Sequence, residues 1–535
     1  MKPFLYIFLF SLLFSTSKAQ QFEWVRTDSF AYSFNPSIGN YSIAIDAANH
    51  SITSRMDSLH IIFGNWIMGD QRIEKRDELG NLIWDLSLVG TSSTQRICTD
   101  ASGNIYIAGN FLETFHIGAN DSLVNTGIST LNINLFIISL DPNGQLRWKK
   151  NASLSYPDPQ NIEAITCDHQ GNFWYAVSDF FSANITKTDA NGIDMNTHTL
   201  TDAKRIGEIS FDPWDNLFIG GSAQQGIFTI DDSTYQVTDF YNFFLARIAS
   251  DGTPSWAKFS HDVTFQAPII KTDGFGNVYM AAFLLDTCSF GNIQFTPLSW
   301  GSSFYIIKAD SVGNFSWGYS LPLQTPNITG DFSGGNNVFI DCDSQGNLYI
   351  GGNQQGTLDW GNSVVNTAGA ITDSRFSITS FDSNGTPLWN LLGGGDVYCY
   401  LNSIALDHQD NLYFVGSTSG NCTFGNINFT LPSWSNFTLG KINLNALTGL
   451  PGAANSNDFG FNLYPNPSQG EFMIPVQMQG AQLEIYNQIG QQVYLNNQVQ
   501  TGMINTENLS SGLYVVKFMK DGNTGTFKWI KTEDK

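Results

Sequence analysis

The chain of 535 residues is longer than one ordinary compact domain, unless it is built from repeats that each add their own layer of core. Charged residues make up only 13% and hydrophobic residues 42%, and there are 50 glycines, a composition typical of many short strands joined by tight turns. The formal net charge of -22, with no local cluster of Lys or Arg, excludes nucleic acid as an expected partner.

The first residues have the pattern of a secretory signal peptide. Lys2 supplies the positive start, Phe4 to Phe14 form a short apolar run, and Ser17 and Ala19 suit a signal-peptidase site. We therefore assign residues 1–19 to a signal peptide with cleavage at Ala19. No later segment approaches the roughly 20 apolar residues that a transmembrane helix needs, so we expect no transmembrane segment.

One pattern then recurs seven times: an apolar strand ending in aspartate, a turn that usually contains Gly-Asn, and a strand of alternating aromatic and aliphatic residues. An isoleucine stands three residues before each aspartate, which indicates a buried contact between neighbouring copies. The aspartates are Asp46, Asp100, Asp168, Asp212, Asp273, Asp343 and Asp407. The isoleucines are Ile43, Ile97, Ile165, Ile209, Ile270, Ile340 and Ile404.

The recurring aspartate has a structural and a metal-binding interpretation. Aspartate accepts backbone N–H groups at the start of a turn, and glycine takes the left-handed conformation that such a turn needs, so the pattern predicts a hairpin. Calcium is the weaker alternative, because each copy offers only one or two oxygen ligands. We expect no metal and no other cofactor.

A second element in most copies is an apolar strand, an Asp/Gly turn and a tryptophan, as in Asp77 with Trp84 and Asp310 with Trp317. The last copy lacks this tryptophan strand, whereas "QFEWVRTDSF" with Trp24 precedes the first copy. A ring that borrows its last strand from the N-terminus protects its sheet edges. The sequence therefore predicts a closed ring of seven four-stranded units over residues 20–452.

Copies such as "DASGNIYIAG" and "DSQGNLYIGG" resemble the seven-bladed β-propeller repeats of exported bacterial proteins. The resemblance implies an all-β fold, a propeller closed by an N-terminal strand, and it implies no function. We expect a monomer.

The periodicity changes after a linker at 453–460, and residues 461–535 form a separate module. Strands are predicted near 471–476, 483–494, 512–519 and 526–531, which indicates a small β-sandwich. Read by itself, such a domain could bind carbohydrate.

The segments "FNLYPNPSQGEFMIPV", "LEIYNQIGQQVY" and "LSSGLYVVKF" resemble the type A sorting domain of the type IX secretion system. The resemblance implies recognition by the outer-membrane translocon after Sec export, delivery to the cell surface or the medium, and a bacterium of the Bacteroidota type. The residues that carry it are Tyr464, Pro465, Asn466, Pro467, Gly470, Gly512, Tyr514 and Lys528.

Catalytic motifs such as HExxH and GxSxG are absent from the sequence. The candidate site residues are polar positions two or four places before a repeat aspartate, in the opposite phase to the isoleucines: Arg96, Glu208, Lys271 and Asp341. We interpret them as hydrogen-bonded residues lining a wet axial channel, with a ligand-binding site as the alternative.

Six cysteines stand singly in the sequence: Cys98, Cys167, Cys288, Cys342, Cys399 and Cys422. Most occupy similar points of different copies, which we expect to lie beyond the roughly 7 Å limit for a disulfide. The sequence therefore predicts buried free thiols.

Three functions remain open at this level, and the third of them is metal-dependent adhesion. The first is an exported, non-catalytic binding or structural module that contacts glycan or a surface protein through its loops. The second is a secreted polysaccharide hydrolase or lyase, which an axial pair of acids would favour.

Overall fold

A computed structural model of the chain describes residues 20–29, 41–63, 66–125, 133–153, 160–262, 267–296, 303–321, 330–335, 337–369, 374–444, 463, 468–487, 492–506, 508–520 and 523–532. The signal peptide with Ala19, the linker and the Tyr464–Pro467 segment lie outside these residues. One compact unit runs from Gln21 to Asn443, and Leu444–Lys535 belong to a second.

Six of the seven sequence copies contribute four main antiparallel strands to the first unit, and the seventh contributes three and takes its fourth from the N-terminal strand. Preceding them is β1 (Gln21–Ser29). The first three copies contain β2 (Ile43–Ile45), β3 (Ser51–Met56), β4 (Ile61–Phe63), β5 (Trp66–Arg76), β6 (Leu82–Thr99), β7 (Ile105–Phe111), β8 (Thr114–Ile117), β9 (Asp121–Val124), β10 (Asn134–Leu140), β11 (Leu146–Asn151), β12 (Asn161–Cys167), β13 (Phe173–Ser178), β14 (Ser182–Thr188) and β15 (Asp194–Thr201). The fourth and fifth contain β16 (Ala203–Phe211), β17 (Leu217–Ile230), β18 (Ser233–Ile248), β19 (Pro254–Asp262), β20 (Ile269–Thr272), β21 (Val278–Leu284), β22 (Cys288–Phe290), β23 (Ile293–Phe295), β24 (Ser303–Ala309) and β25 (Phe315–Leu321). The last two contain β26 (Asp331–Gly334), β27 (Ile340–Cys342), β28 (Leu348–Gln355), β29 (Thr357–Asp359), β30 (Val365–Thr367), β31 (Arg375–Phe381), β32 (Pro387–Gly395), β33 (Tyr398–Leu406), β34 (Leu412–Phe424) and β35 (Ile427–Asn443).

An additional hairpin separates the second and third main strands in most copies, for example β8 with β9 and β22 with β23. The third copy differs, because β13 reaches β14 through a tight turn in which the amide of Asp179 donates to the carbonyl of Ser182 at 3.1 Å. The repeat pattern did not predict these hairpins, since such strands as β8, β22 and β29 have only three or four residues and show little periodicity.

The repeat aspartates close their turns in the predicted way. Oδ1 of Asp212 accepts the backbone N–H groups of Trp214 and Asn216, both at 2.9 Å. The same pair of bonds recurs at Asp46, Asp100, Asp168, Asp273, Asp343 and Asp407. Gly103 has φ 78°, and Asp215 takes the left-handed conformation where a copy lacks the glycine, with φ 59°.

The repeat isoleucines are buried, as predicted, with exposures between 0% and 7%. Ile270 packs against Gly220 of the preceding copy, where an added Cβ would lie 2.5 Å from Ile270 Cγ2. Ile404 meets Gly351 in the same way, also at 2.5 Å. Glycine at these two strand positions therefore leaves room for the isoleucine of the next copy.

The tryptophans of the outer strands hold neighbouring copies together. Nε1 of Trp84 donates to the carbonyl of Pro142 at 3.1 Å, and the indole covers Gly144 in the turn of the next copy. Equivalent contacts from indole to carbonyl are Trp24 to Glu78, Trp148 to Ala190, Trp256 to Ser311 and Trp317 to Ser383. We call this contact the tryptophan latch.

The N-terminal strand joins the last copy to the first. Strand β1 pairs antiparallel with β35 over Gln21–Ser29. The latch of Trp24 then reaches the first copy, in which Glu78 lies, at 2.9 Å. The first strands of successive copies contact one another in chain order, and β33 contacts β2. The unit is therefore an all-β, propeller-like ring in which the first strands lie innermost.

The C-terminal unit contains two antiparallel sheets. Its strands are β36 (Glu471–Ile474), β37 (Gln482–Tyr486), β38 (Gln492–Asn496), β39 (Gly502–Asn505), β40 (Gly512–Lys520) and β41 (Asn523–Lys531), with a 3-10 turn at Val476–Met478. Strand β36 pairs with β39, and the other sheet has the order β38-β37-β40-β41. The predicted single strand 483–494 is wrong, since the chain reverses within it, and β39 was not predicted because it is a run of only four residues.

Candidate functional site

The four predicted channel residues come from four innermost strands and meet as two ion pairs. Arg96 on β6 faces Glu208 on β16, with Nε and Oε2 3.6 Å apart. Lys271 on β20 faces Asp341 on β27, with Nζ and Oδ1 2.9 Å apart. The first pair spans the second and fourth copies, so that it crosses over the third.

The Arg96–Glu208 pair is buried, with exposures of 7% and 5%. The guanidinium also donates to the carbonyls of Gln95 at 3.1 Å and Gly207 at 3.4 Å, while Glu208 Oε1 accepts the amide of Ile209 at 3.1 Å. Among the residues that the structure describes, none provides a hydrogen-bond partner for Arg96 Nε or Glu208 Oε2. Burial raises the pKa of the Glu208 carboxyl to about 7, although the charge of Arg96 opposes the shift.

The charged groups of the Lys271–Asp341 pair lie closer together than those of the Arg96–Glu208 pair, within hydrogen-bond distance. Asp341 also accepts the backbone N–H groups of Cys342 at 2.9 Å and of Leu406, in the next copy, at 2.8 Å. Burial would lower the pKa of the Lys271 ammonium, but the adjacent Asp341 carboxylate raises it above its ordinary value, with a further contribution from Glu208. The ammonium therefore stays charged beside the first pair.

A cavity of about 290 Å³ opens next to Arg96. Its polar lining includes Gln95, Arg205 and Asn337, and its apolar lining includes Phe283 and Phe339. Nδ2 of Asn337 donates to the carbonyl of Gln95 at 2.8 Å, so the sixth copy contacts the second. The sequence analysis missed Gln95, Arg205 and Asn337, because they precede the repeat pattern and vary between copies.

Two exposed phenylalanines, in the turn between β13 and β14, lie near Lys204, the residue before Arg205. Nζ of Lys204 lies 5.3 and 5.1 Å from the ring centres of Phe180 and Phe181, which are 48% and 61% exposed. Phe180 has φ 72°, a conformation that is costly for a bulky side chain and is concentrated at binding sites. The turn replaces the hairpin of other copies, and only the Phe-Phe pair in "DFFS" could have indicated it.

No three His, Cys, Asp or Glu side chains come close enough to hold a metal ion within the residues that the structure describes. No helix of the described segments is long and apolar enough to cross a membrane.

All six cysteines are free thiols in the structure. The expectation that cysteines of neighbouring copies lie too far apart is nevertheless wrong for one pair, since the Sγ atoms of Cys98 and Cys167 are 3.9 Å apart. The innermost strands of adjacent copies pack side by side, and Cys98, two places before Asp100, meets Cys167, one place before Asp168.

The described sorting-signal residues have structural roles. Gly470 accepts the amide and hydroxyl of Thr506 through its carbonyl, at 2.7 and 2.6 Å. Tyr514 is buried, and its hydroxyl donates to the carbonyl of Ser510 at 2.6 Å. Gly512 begins β40, and the backbone of Lys528 pairs with that of Val515.

Two residues of the basic end "FKWIK", which also belongs to the sorting-domain resemblance, have structural roles that the sequence did not assign. Trp529 Nε1 donates to Ser468 Oγ at 2.9 Å, and the indole is fully buried. Lys531 is buried as well, and its Nζ donates to the carbonyls of Thr506 and Leu509 at 3.0 and 2.6 Å. The basic end of the chain therefore ties the last strand to the preceding loop.

Residues 462–532 match the family described as the secretion system C-terminal sorting domain. The predicted type IX sorting domain is thus confirmed, and the chain is secreted through that system to the cell surface or the extracellular space. No curated protein matches the chain by sequence.

Solved structures with some likeness to the chain include a quinohemoprotein alcohol dehydrogenase from Comamonas testosteroni, at 11% identity, with 81% of this chain and 78% of that chain covered and a TM-score of 0.34. A gluconolactonase from Xanthomonas campestris has 10% identity, coverage of 66% and 90%, and a TM-score of 0.31. A protein of unknown function from Bacteroides caccae has 12% identity, coverage of 60% and 89%, and a TM-score of 0.30. These values carry no argument about this chain.

Proposed function

We propose that the repeat region is a seven-bladed β-propeller, that the C-terminal module is a small β-sandwich, and that the exported propeller is a cofactor-free, non-catalytic module that binds glycan at its axis. The observation that carries the proposal is the buried pair of Glu208 with Arg96, which lines the cavity: within the described part of the chain, the Nε and Oε2 atoms of this pair have no hydrogen-bond partner. Buried polar groups without partners are rare and call for a functional explanation.

A hydroxyl group suits these two atoms. It accepts a hydrogen bond from an N–H donor and donates one to a carboxylate oxygen, so a single hydroxyl can satisfy Arg96 and Glu208 together. Nε and Oε2 are 3.6 Å apart, which allows one oxygen to lie within hydrogen-bond distance of both. A ligand rich in hydroxyl groups therefore matches the site better than an apolar one.

The aromatic turn at Phe180 and Phe181 supports the same ligand class. The exposed rings of Phe180 and Phe181 offer flat apolar surfaces, and sugar rings have apolar faces that pack on such surfaces.

The contacts of the axial acids favour binding over catalysis. Asp341 is engaged by Lys271 and by two backbone amides, which leaves it poorly placed to act as a nucleophile or a base. One observation favours the hydrolase or lyase alternative: a carboxyl with a pKa of about 7 has the property required of a general acid.

The test is a glycan array probed with the full exported protein, with sugar release monitored in the same wells. We expect binding without product, and loss of binding in Arg96→Met/Glu208→Met, which removes both charges together. The matched control is Arg247→Met, because Arg247 Nε also lacks a hydrogen-bond partner among the described residues, but Arg247 does not line the cavity.

Three results would contradict the proposal. Release of sugar that Glu208→Gln abolishes would establish the enzyme alternative. Binding to a surface protein and to no glycan would show that the ligand is a protein and not a glycan. Equal glycan binding by the double variant and the control would show that the glycan binds somewhere other than at the axis.

A further inference from the structure

The innermost strands of adjacent copies meet at a recurring junction. The residue two places before the repeat aspartate of one copy contacts the residue one place before the aspartate of the next. At the junction of the fourth and fifth copies these are Ser210 and Thr272, whose hydroxyl oxygens lie 2.7 Å apart. At the junction of the second and third copies they are Cys98 and Cys167, with sulfurs 3.9 Å apart. The approach of the two sulfurs is therefore a property of the repeated architecture.

The surroundings of the two sulfurs are apolar and acidic. Both cysteines pack against a buried cluster that includes Tyr106, Ile165 and Phe173. Burial raises the pKa of the Cys167 thiol well above its ordinary value, and Cys98, Asp100 and Asp168 raise it further. The folded protein consequently holds Cys167 as the uncharged thiol, and an uncharged sulfur pair suits this junction.

We propose that Cys98 and Cys167 are joined by a disulfide in the exported protein, which links the second and third copies next to the axis. The chain crosses an oxidising compartment on its way out of the cell, where disulfides form and persist.

The oxidant would be the disulfide of a periplasmic thiol–disulfide oxidoreductase. The two S–H bonds of Cys98 and Cys167 break and one S–S bond forms, while the two protons and two electrons convert the oxidant's disulfide into two thiols. Because exchange requires a thiolate and access, the bond must form during folding, before β6 and β12 pack. The same burial then shields it from reduction.

The test uses protein from the culture medium, quenched with an alkylating reagent, unfolded in guanidinium without reductant and mapped by mass spectrometry. We expect one linked pair of peptides containing Cys98 and Cys167, and alkylated Cys288, Cys342, Cys399 and Cys422. Unfolding the protein and refolding it in the presence of a reductant should lower the Tm of the wild-type protein by several degrees and leave that of Cys98→Ser/Cys167→Ser unchanged.

A positive control comes from the equivalent junction. In Ser210→Cys/Thr272→Cys, the new thiols occupy the same relative positions and should also oxidise. Alkylation of both Cys98 and Cys167 in the exported protein overturns the proposal, most clearly when the engineered pair in the same molecule is oxidised.

Discussion

The same seven copies supply the turns of the repeat region and the residues at its axis. The turn residues are alike in all seven copies, whereas the axial residues differ from copy to copy. Every repeat aspartate accepts the same two backbone N–H groups, as Asp212 does from Trp214 and Asn216. Four residues earlier, at the axis, the copies carry Ser42, Arg96, Ala164, Glu208, Ile269, Phe339 and Ser403. Each copy must close its own turn, whereas a binding site needs each polar group only once. Uniform positions therefore indicate the scaffold, and divergent ones indicate the site.

The largest expected effect concerns the latch that closes the ring. Trp24→Ala and Trp84→Ala each remove an indole packed on a turn of the next copy, and we expect each to lower the free energy of unfolding by about 3–4 kcal/mol. Urea unfolding followed by circular dichroism measures both. If Trp24→Ala stayed close to wild type while Trp84→Ala did not, the N-terminal strand would not be part of the scaffold.

The second-largest expected effect concerns Glu208 at the axis and the pH dependence of stability. The folded protein retains a proton on Glu208 up to a pH of about 7, whereas the unfolded chain releases it near the ordinary value of 4.5. The folded state is therefore destabilised as the pH rises from about 4.5 to about 7. Relative to wild type, Glu208→Gln should gain on the order of 2–3 kcal/mol across this interval.

Thermal unfolding of wild type and Glu208→Gln at several pH values tests this expectation. Glu113→Gln, at an exposed position, is the control and should follow the wild-type profile. Parallel profiles for wild type and Glu208→Gln would contradict the buried, protonated state of Glu208.

A smaller effect is expected at a scaffold turn. Asp212→Ala leaves the amides of Trp214 and Asn216 without their acceptor, which should cost about 2 kcal/mol of unfolding free energy. Asp212→Asn keeps one acceptor oxygen and should cost less. Equal losses in the two variants would mean that the charge, and not the hydrogen bonds, stabilises the turn.

The smallest effect is the response to calcium. The turn aspartates already bind backbone amides, so millimolar calcium should change the Tm of the exported protein by less than about 1 °C relative to a chelator. A rise of several degrees would favour the calcium alternative for the turns.

The sequence by itself determined the repeated features. Asp212 and its six counterparts, the isoleucines three residues before them, Trp24 ahead of the first copy and the sorting domain are all local patterns whose physical cause lies within a few neighbouring residues. The pairing of β1 with β35 could be predicted because a missing strand at one end matched a surplus strand at the other. The positions of Arg96, Glu208, Lys271 and Asp341 could be predicted as well, because side chains alternate along the first strand of each copy and these four fall in the opposite phase to the isoleucines.

Only the tertiary structure decided which of these residues meet. Arg96 reaches Glu208 across an intervening copy, Asn337 contacts Gln95 between the sixth and second copies, and Cys98 approaches Cys167 at a junction where serine and threonine meet elsewhere. These contacts depend on how closely the innermost strands converge at the axis. The distance between these strands is set by the packing of all copies together, so it cannot be predicted from the sequence of any single copy.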